Sequence, residues 1–229
     1  MDKLTDIRKT HTKGRKFGRM SQREHEALIS IFPMVKLSTE SVLDKKDVFG
    51  REAPLYLEIG FGTGAFLFDR AVRAPQHNFI GIEIYVTGIA KLLVNFISKD
   101  NPAVLSVTNV RVFNKDARSV LINNIPSDSL DGAYILFPDP WHKKRHKKRR
   151  LINPEFAGIL FSRLKGEGPV IVATDSEDYA AAIESSFISA GFRLDSEDLS
   201  DVDKTTYALK AIKENRELRI YRFVKGMCT

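Results

Sequence analysis

The chain of 229 residues is long enough for one well-buried α/β domain and a short appendage, which leaves little room for two full domains. Its hydrophobic residues, at 43%, and its aromatic residues, at 10%, exclude an intrinsically disordered chain. The polar N-terminus, the charges of Glu83 and Lys91 within the most apolar stretch, and the single cysteine, Cys228, predict a cytoplasmic protein without a membrane span, a disulfide or a cysteine-built metal site.

Positive charge is concentrated in two short segments. Of the total formal charge of +7, residues 1–25 carry +5 and residues 143–150 carry +7, so the rest of the chain carries −5. A basic surface on an otherwise acidic body favours contact with the phosphates of a nucleic acid. The alternative interpretation is a basic face that only contacts solvent.

From about residue 51 onward, apolar runs alternate with stretches of helical periodicity, which is typical of βα units around a mainly parallel sheet. Asn153 and Pro154 form a helix-start signal, and Gly166 and Gly191 are stop signals. The predicted strands are residues 55–59, 79–84, 110–114, 132–137, 170–173, 192–194 and 218–224, and the predicted helices are residues 65–72, 86–97, 154–165 and 177–190. Residues 1–45 fit none of this pattern. We interpret them as a basic, partly disordered, RNA-contacting arm with one or two short helical pieces, and residues 46–229 as the domain.

The segment LYLEIGFGTGAFL predicts a nucleotide-binding turn after the first strand, in which glycines such as Gly60 allow a sharp turn and a close approach to a ligand. A tight turn without a ligand is the alternative. Glu83 ends the second strand, where a carboxylate can accept hydrogen bonds from both ribose hydroxyls. Glu58 would repel the pyrophosphate of NAD but attract the cationic methionine end of S-adenosylmethionine. Asp116 follows the third strand and is placed either to bind an adenine amino group or simply to form a turn.

The stretch FPDPWHKKRHKKRR follows the fourth strand and contains the candidate catalytic residue, Asp139. Ligands of open α/β sheets bind beyond the carboxyl ends of the strands, so Asp139 should face the same crevice as the glycine turn. The flanking Pro138 and Pro140 fix the backbone on both sides of this carboxylate. A rigid acidic turn is the alternative.

With these motifs the sequence resembles the bacterial tRNA (guanine-N7-)-methyltransferase family. That family combines an E-x-G-x-G-x-G turn, a G-x-E after the second strand and a stretch similar to FPDPWHKKRHKKRR, in which His142 stands here where proline is usual. The resemblance runs from KFGRMSQRE in the basic arm to IYRF at residues 220–223. It implies a Rossmann-like class I methyltransferase fold, a mainly parallel sheet with helices on both faces and an antiparallel C-terminal strand pair. It also implies methyl transfer from S-adenosyl-L-methionine to N7 of a guanine in the variable loop of tRNA.

The resemblance further assigns site residues. Cofactor contacts are implied at Glu58, Gly60, Glu83, Asp116 and Asp139, and Asp139 is also the candidate catalytic residue. Substrate contacts are implied at Lys143, Asp175, Thr205 and Tyr207, and RNA contacts at Arg145, His146, Lys147, Lys148, Arg149 and Arg150. The chain departs from the family's T-x-Y-E pattern, because Ala208 stands where glutamate is usual. The expected partner is tRNA, with no metal and no membrane, for a chain that is a monomer or a homodimer.

Three other functions are weighed against this one. An exocyclic-amine methyltransferase carries a D-P-P-W-like segment after its fourth strand, which loosely resembles FPDPW. The additional residue in FPDPW and the basic run that follows disfavour this function. A catalytically inactive RNA-binding module with the same fold is suggested by Ala208 and opposed by the retention of Glu58, Glu83 and Asp139. Glu58 and the basic run disfavour a nicotinamide dehydrogenase.

Overall fold

The computed structural model describes residues 19–98, 105–195 and 206–226, and within these ranges the strands form one seven-stranded sheet. The strands are β1 Leu55–Ile59, β2 Asn78–Ile82, β3 Val110–Phe113, β4 Gly132–Leu136, β5 Pro169–Thr174, β6 Phe192–Asp195 and β7 Arg219–Lys225. Their order across the sheet is β3-β2-β1-β4-β5-β7-β6. The first five strands run parallel, and β7 pairs antiparallel with both β5 and β6. This arrangement confirms the predicted fold class.

The helices predicted from periodicity correspond to four of those in the structure and differ from them only at their ends. The helices are α1 Gln22–Ser30, α2 Phe32–Val35, α3 Lys45–Phe49, α4 Ala65–Arg73, α5 Val86–Phe96, α6 Ala117–Asn123, α7 Pro154–Arg163, α8 Glu177–Ser189 and α9 Thr206–Lys213, with a 3₁₀ helix, η1, at Lys144–Arg149. The sequence analysis missed the short elements α3, α6, α9 and η1. These elements have five to eight residues, too few for a clear hydrophobic period.

Apolar side chains fill both faces of the sheet because successive strand residues point to opposite sides. On β1, Leu55, Leu57 and Ile59 join the core beneath α6, α7 and α8, whereas Tyr56 packs against the core formed with α1, α2, α4 and α5. The two cores make this an α/β sheet with helices on both faces.

The described part of the N-terminal segment packs onto the second of these cores. Ser21 and Glu24 form a reciprocal capping box that starts α1, and Ala27 and Leu28 on that helix are buried. Leu37 then donates its backbone N–H to the carbonyl of Val112 on β3, at 2.9 Å. Residues 1–18 lie outside the described part of the chain, and the division of the chain near residue 45 stays a prediction.

Asn109 connects the start of β3 to the end of α4. Its buried Nδ2 donates to the backbone carbonyls of Ala71, Ala74 and His77, at 3.1, 3.3 and 3.0 Å. Replacing Asn109 with alanine is expected to lower the free energy of unfolding by about 1–3 kcal/mol, because buried carbonyls lose their donor. Denaturant unfolding measures this change. The matched control Asn123→Ala alters an exposed side chain and should stay within about 0.5 kcal/mol of the parent; equal effects of the two changes would contradict the assigned role of Asn109.

Candidate functional site

The candidate site lies at the carboxyl edge of the parallel strands, where the chain order reverses. Strand β1 lies between β2 and β4, so the crossovers on its two sides leave in opposite directions, and ligands of such sheets bind at this point. The segments that follow the five parallel strands meet at this edge. They contain the glycine turn after β1, Glu83 after β2, Asp116 after β3, Asp139 after β4 and Asp175 after β5.

The glycine turn has the backbone conformation that its sequence predicts. Gly60 and Gly62 have φ angles of 71° and 56°, in the left-handed region that side chains with a Cβ rarely adopt. The N–H of Gly60 donates to the carbonyl of Ile82 at 2.8 Å, which fixes the turn to the end of β2. Helix α5 then approaches closely, because a Cβ on Gly88 would lie 2.2 Å from the carbonyl oxygen of Gly62.

The carboxylate of Glu83 organises the same turn from the other side. Its Oε2 accepts from the N–H of Gly62 at 2.8 Å, and its Oε1 accepts from the N–H groups of Ile84 and Tyr85 at 2.7 and 3.0 Å. The pKa of Glu83 is raised overall. Burial raises it most, these three donors lower it, and the negative charge of Asp139 adds to the rise. The structure therefore brings Asp139 within electrostatic reach of the predicted ribose-binding residue.

Glu58 is a buried carboxylate without a full set of partners. Its side chain is 4% exposed, and its Oε2 has no hydrogen-bond partner among the described residues. Burial raises the pKa of Glu58 to about 8, and the charge of Glu83 adds to the effect. A buried, unpaired carboxylate is costly, and a cationic ligand would compensate for it. The residues at this turn therefore fit the cationic methionine end of S-adenosylmethionine.

Asp116 and Asn114 lie where β3 ends. Asp116 is exposed, and its Oδ1 accepts from the N–H of Ser119 at 3.0 Å and so begins α6. This is the turn-forming role weighed as the alternative, and the adenine contact stays a prediction. Asn114, which the sequence analysis did not select, donates from Nδ2 to the carbonyls of Glu83 and Ile84 at 2.8 and 3.2 Å. Its position directly after a strand was the available signal.

Asp139 lies at the exposed tip of a loop whose two ends have an unusual backbone. Phe137 and Trp141 have φ angles of 54° and 46°, which cost of order 1–3 kcal/mol each for such residues. The N–H of Phe137 donates to the carbonyl of Ala173 on β5 at 2.8 Å. Strained residues persist where the surroundings determine them, and they cluster at functional sites. The loop of residues 137–141 therefore presents Asp139 on a fixed backbone.

The basic run after this loop divides into outward-facing and inward-facing cations. Lys143, Lys144, Arg145, Lys148 and Arg149 are exposed. The guanidinium of Arg149 lies 5.1 Å from the centroid of the Trp141 ring, and His146 meets that ring edge-on at 5.8 Å.

The inward-facing cations are Arg150, which is buried, and Lys147, whose side chain is 39% exposed but turns towards Asp178. Both contact Asp178 in the first turn of α8, Lys147 at 2.7 Å, and Arg150 is 8% exposed. Hydrogen bonds first from Lys147 and then from Arg150 lower the pKa of Asp178 to about 2, so it stays ionised at neutral pH. The RNA contacts expected at Lys147 and Arg150 stay predictions, and in the structure both side chains face Asp178.

The expected substrate contacts lie beside this cluster or outside the described residues. Asp175 forms an ion pair with Arg216, a residue that the sequence analysis did not select because the two lie far apart in the chain. Thr205 lies outside the described residues, as does the side chain of Tyr207. Ala208, at the position of the family's glutamate, is fully buried in α9.

In the described ranges, no helix is both long and apolar enough to cross a membrane. The same ranges contain no group of three or more histidine, cysteine, aspartate or glutamate residues that could hold a metal ion.

Two solved methyltransferases share this fold. One, an antibiotic-related methyltransferase, matches with a TM-score of 0.57 and 20% identity over 83% of this chain and 95% of that chain. The 16S rRNA methyltransferase KamB matches with a TM-score of 0.59 and 12% identity over 81% of this chain and 94% of that chain. A family model described as "Putative methyltransferase" matches residues 52–219. Fold and site together define a class I, S-adenosylmethionine-dependent methyltransferase.

The tRNA (guanine-N(7)-)-methyltransferase of Hydrogenovibrio crunogenus is 44% identical over 178 residues, which cover 77% of this chain and 72% of that protein. The enzyme of the same name from Pseudomonas savastanoi pv. phaseolicola is 42% identical over 183 residues, 79% of this chain and 72% of its own length. The chain therefore belongs to the tRNA (guanine-N(7)-)-methyltransferase family.

The burial of Glu58 predicts that removing its carboxyl group has opposite effects on stability and on cofactor binding. Because the pKa of Glu58 is about 8 in the folded chain and ordinary in the unfolded chain, the folded state holds the extra proton between about 4.5 and 8. The free energy of unfolding should therefore fall as pH rises through this window. Glu58→Gln should reduce that fall and raise the Tm at pH 8, while weakening S-adenosylmethionine binding about tenfold to a hundredfold.

Thermal unfolding from pH 5 to 8 and calorimetric titration with the cofactor measure the two effects of Glu58→Gln. The control Glu184→Gln removes an exposed charge and should change neither. A Glu58→Gln protein with unchanged cofactor affinity would show that this carboxylate does not face the ligand.

The close approach of Gly88 to Gly62 predicts a second effect on cofactor binding. In Gly88→Ala the new methyl group would displace the carbonyl of Gly62, because a backbone atom cannot rotate away as a side chain can. The affinity for S-adenosylmethionine should therefore fall about tenfold or more. Isothermal titration measures the change. Gly158→Ala on α7 is the matched control, because its methyl group would have no neighbour within 4 Å and should at most favour the helix. Equal affinities in the two variants would contradict this view of the turn.

Proposed function

We propose that this chain transfers a methyl group from S-adenosyl-L-methionine to N7 of a guanine in tRNA. The observation that carries the proposal is the family membership, since relatives with that named activity are 44% and 42% identical over more than three quarters of the chain. The site supports it, because an unpaired buried carboxylate, an acidic loop and exposed cations lie along one edge of the sheet. A tRNA substrate would place the protein in the cytoplasm.

The glycine turn and the acidic residues around it would hold the cofactor. Glu58 would lie against its cationic methionine end, Glu83 would accept hydrogen bonds from its ribose, and Asp116 would accept from its adenine amino group. Gly60 lets the backbone approach without a side chain in the way. When bound, S-adenosylmethionine supplies a methyl group on a positively charged sulfur.

Asp139 is the proposed catalytic residue, and its task is to orient and stabilise the guanine. Guanine N7 carries a lone pair and no proton, so its methylation requires no general base. The purine gains positive charge during the reaction. A carboxylate on a fixed backbone stabilises that charge and accepts a hydrogen bond from a ring N–H or amino group of the guanine. Asp175 and Lys143 are the proposed further contacts to the substrate, with Thr205 and Tyr207 from the C-terminal segment.

The outward-facing cations of the basic run would contact the tRNA backbone. Lys144, Arg145, Lys148 and Arg149 lie exposed next to the Asp139 loop, so phosphates bound there would lie beside the reacting base. Exposed Arg19 and Arg23 at the start of the described chain extend the positive charge of the N-terminal segment, the proposed second RNA contact.

Incubation with unmodified tRNA and labelled S-adenosylmethionine tests the function directly. We expect label in the tRNA and strand scission at alkali-labile 7-methylguanine. Label in an exocyclic amine would instead support the amine methyltransferase, and a folded chain that binds cofactor and tRNA without any transfer would support the inactive RNA-binding module.

In this assay Asp139→Asn should lower kcat about a hundredfold or more, because the fixed negative charge proposed to face the base is lost. Its affinity for the cofactor should change less. Asp128→Asn is the matched control, since Asp128 is exposed beyond α6 at the opposite edge of the sheet and pairs with Lys225. Near-parent turnover of the Asp139→Asn protein would overturn the catalytic assignment.

A further inference from the structure

Arg150 is the last cation of the basic run, and its side chain is buried, with 8% of it exposed. Its Nε donates to the carbonyl of Pro140 at 2.9 Å, and its Nη2 pairs with Oδ2 of Asp178. The guanidinium also lies over the ring of Tyr179, 4.6 Å from the centroid. The guanidinium thus uses its Nε and Nη2 on a carbonyl and a carboxylate and one face on a ring, so most of it is committed to protein partners rather than to a phosphate.

These contacts connect the catalytic loop to a rigid part of the fold. Tyr179, the neighbour of Asp178 in α8, is fully buried, and its hydroxyl accepts from the N–H of Ile152 at 3.0 Å. Pro140 directly follows Asp139, and Trp141 after it has the strained φ of 46°. The hydrogen bond from Arg150 to Pro140 therefore restrains the backbone next to the catalytic carboxylate.

We propose that Asp178 and Arg150 are positioning residues, which hold the Asp139 loop in its reactive shape through the Pro140 carbonyl and do not bind RNA. The inference rests on the proposed function, because it assigns Asp139 its role in methyl transfer. Lys147 takes part by pairing with the second oxygen of Asp178 at 2.7 Å, so that both oxygens of one carboxylate are held by the segment after the loop.

Loss of Asp178 distinguishes positioning from RNA contact by the sign of its effect. If Asp178 only masked cations, its removal would free Lys147 and Arg150 for phosphates, and kcat/KM for tRNA would rise. If Asp178 positions the loop, the same change releases the restraint beside Asp139, and kcat falls although the surface becomes more positive.

The kinetic test compares Asp178→Ala, Arg150→Ala and the double variant with Lys148→Ala at saturating cofactor. Both single variants should lower kcat about tenfold or more, since small misplacements of a reacting group have such costs. In Arg150→Ala the slope of tRNA affinity against salt concentration should stay that of the parent. The kcat of the double variant should be no lower than that of the less active single variant, because the two residues act as a unit. Lys148→Ala should instead raise KM and lower the slope by about one, with kcat retained.

Trp141 gives a readout that does not depend on methyl transfer. It is the only tryptophan of the chain and lies in the loop itself, so its emission and its quenching by acrylamide report the loop's conformation. Asp178→Ala and Arg150→Ala should shift the emission to the red and increase quenching, whereas Glu184→Gln, which removes an exposed charge from the same helix, should change neither.

The two readouts separate the possible outcomes. Parent-like kcat and parent-like fluorescence in Asp178→Ala would overturn the positioning role. A lower salt slope with retained kcat in Arg150→Ala would overturn it in favour of RNA contact. If the parent chain itself methylates no tRNA, the proposed function fails, and the fluorescence comparison still tests whether the two residues hold the loop. Asp178 has 56% of its side chain exposed, so this variant is expected to fold even if Arg150→Ala does not.

Discussion

The rest of the site is arranged around Glu58, a buried carboxyl group whose Oε2 has no hydrogen-bond partner in the part of the chain that the structure describes. Such a group raises the free energy of the folded state, and folding tolerates it only where packing elsewhere is sufficient. Glu58 lies on β1, the middle one of the five parallel strands, which separates the two apolar cores. The turn of Gly60 and Gly62 brings the backbone close to it, and Glu83 holds that turn in place. The fold therefore holds a buried carboxyl group, whose pKa is raised to about 8, at the point where we propose that a cationic ligand binds.

The sequence allowed the sheet, the main helices and the acidic edge to be predicted, because each depends on local patterns. Strand β1 matches its prediction residue for residue, since a buried run ends in a glycine turn. Helix α6, which Asp116 caps, was missed because its seven residues are too few for a clear hydrophobic period. Helix η1 has no apolar period, and contacts with Trp141 and Asp178 accompany its conformation. Contacts between distant segments of this kind are not encoded in any window of the sequence.

The substrate side of the site shows the same limit. Asp175 was selected by its place after β5, but its pairing with Arg216 depends on how the C-terminal segment returns to the sheet. The departure at Ala208 has a physical counterpart, because this residue is fully buried where the family's pattern has glutamate. A carboxylate there would need another packing of α9 to reach solvent or substrate.

The basic run has an outward face and an inward face, which its sequence motif does not distinguish. Formal charge alone would count Lys147 and Arg150 with their neighbours, yet both pair with Asp178, whose single negative charge offsets one of their two positive charges. Under the proposed function, a bound tRNA would displace ions from the outward-facing cations. If the outward face binds tRNA as proposed, substitution at Lys144, Arg145 or Lys148 would tune that affinity, in evolution or in the laboratory, without altering the shape of the Asp139 loop.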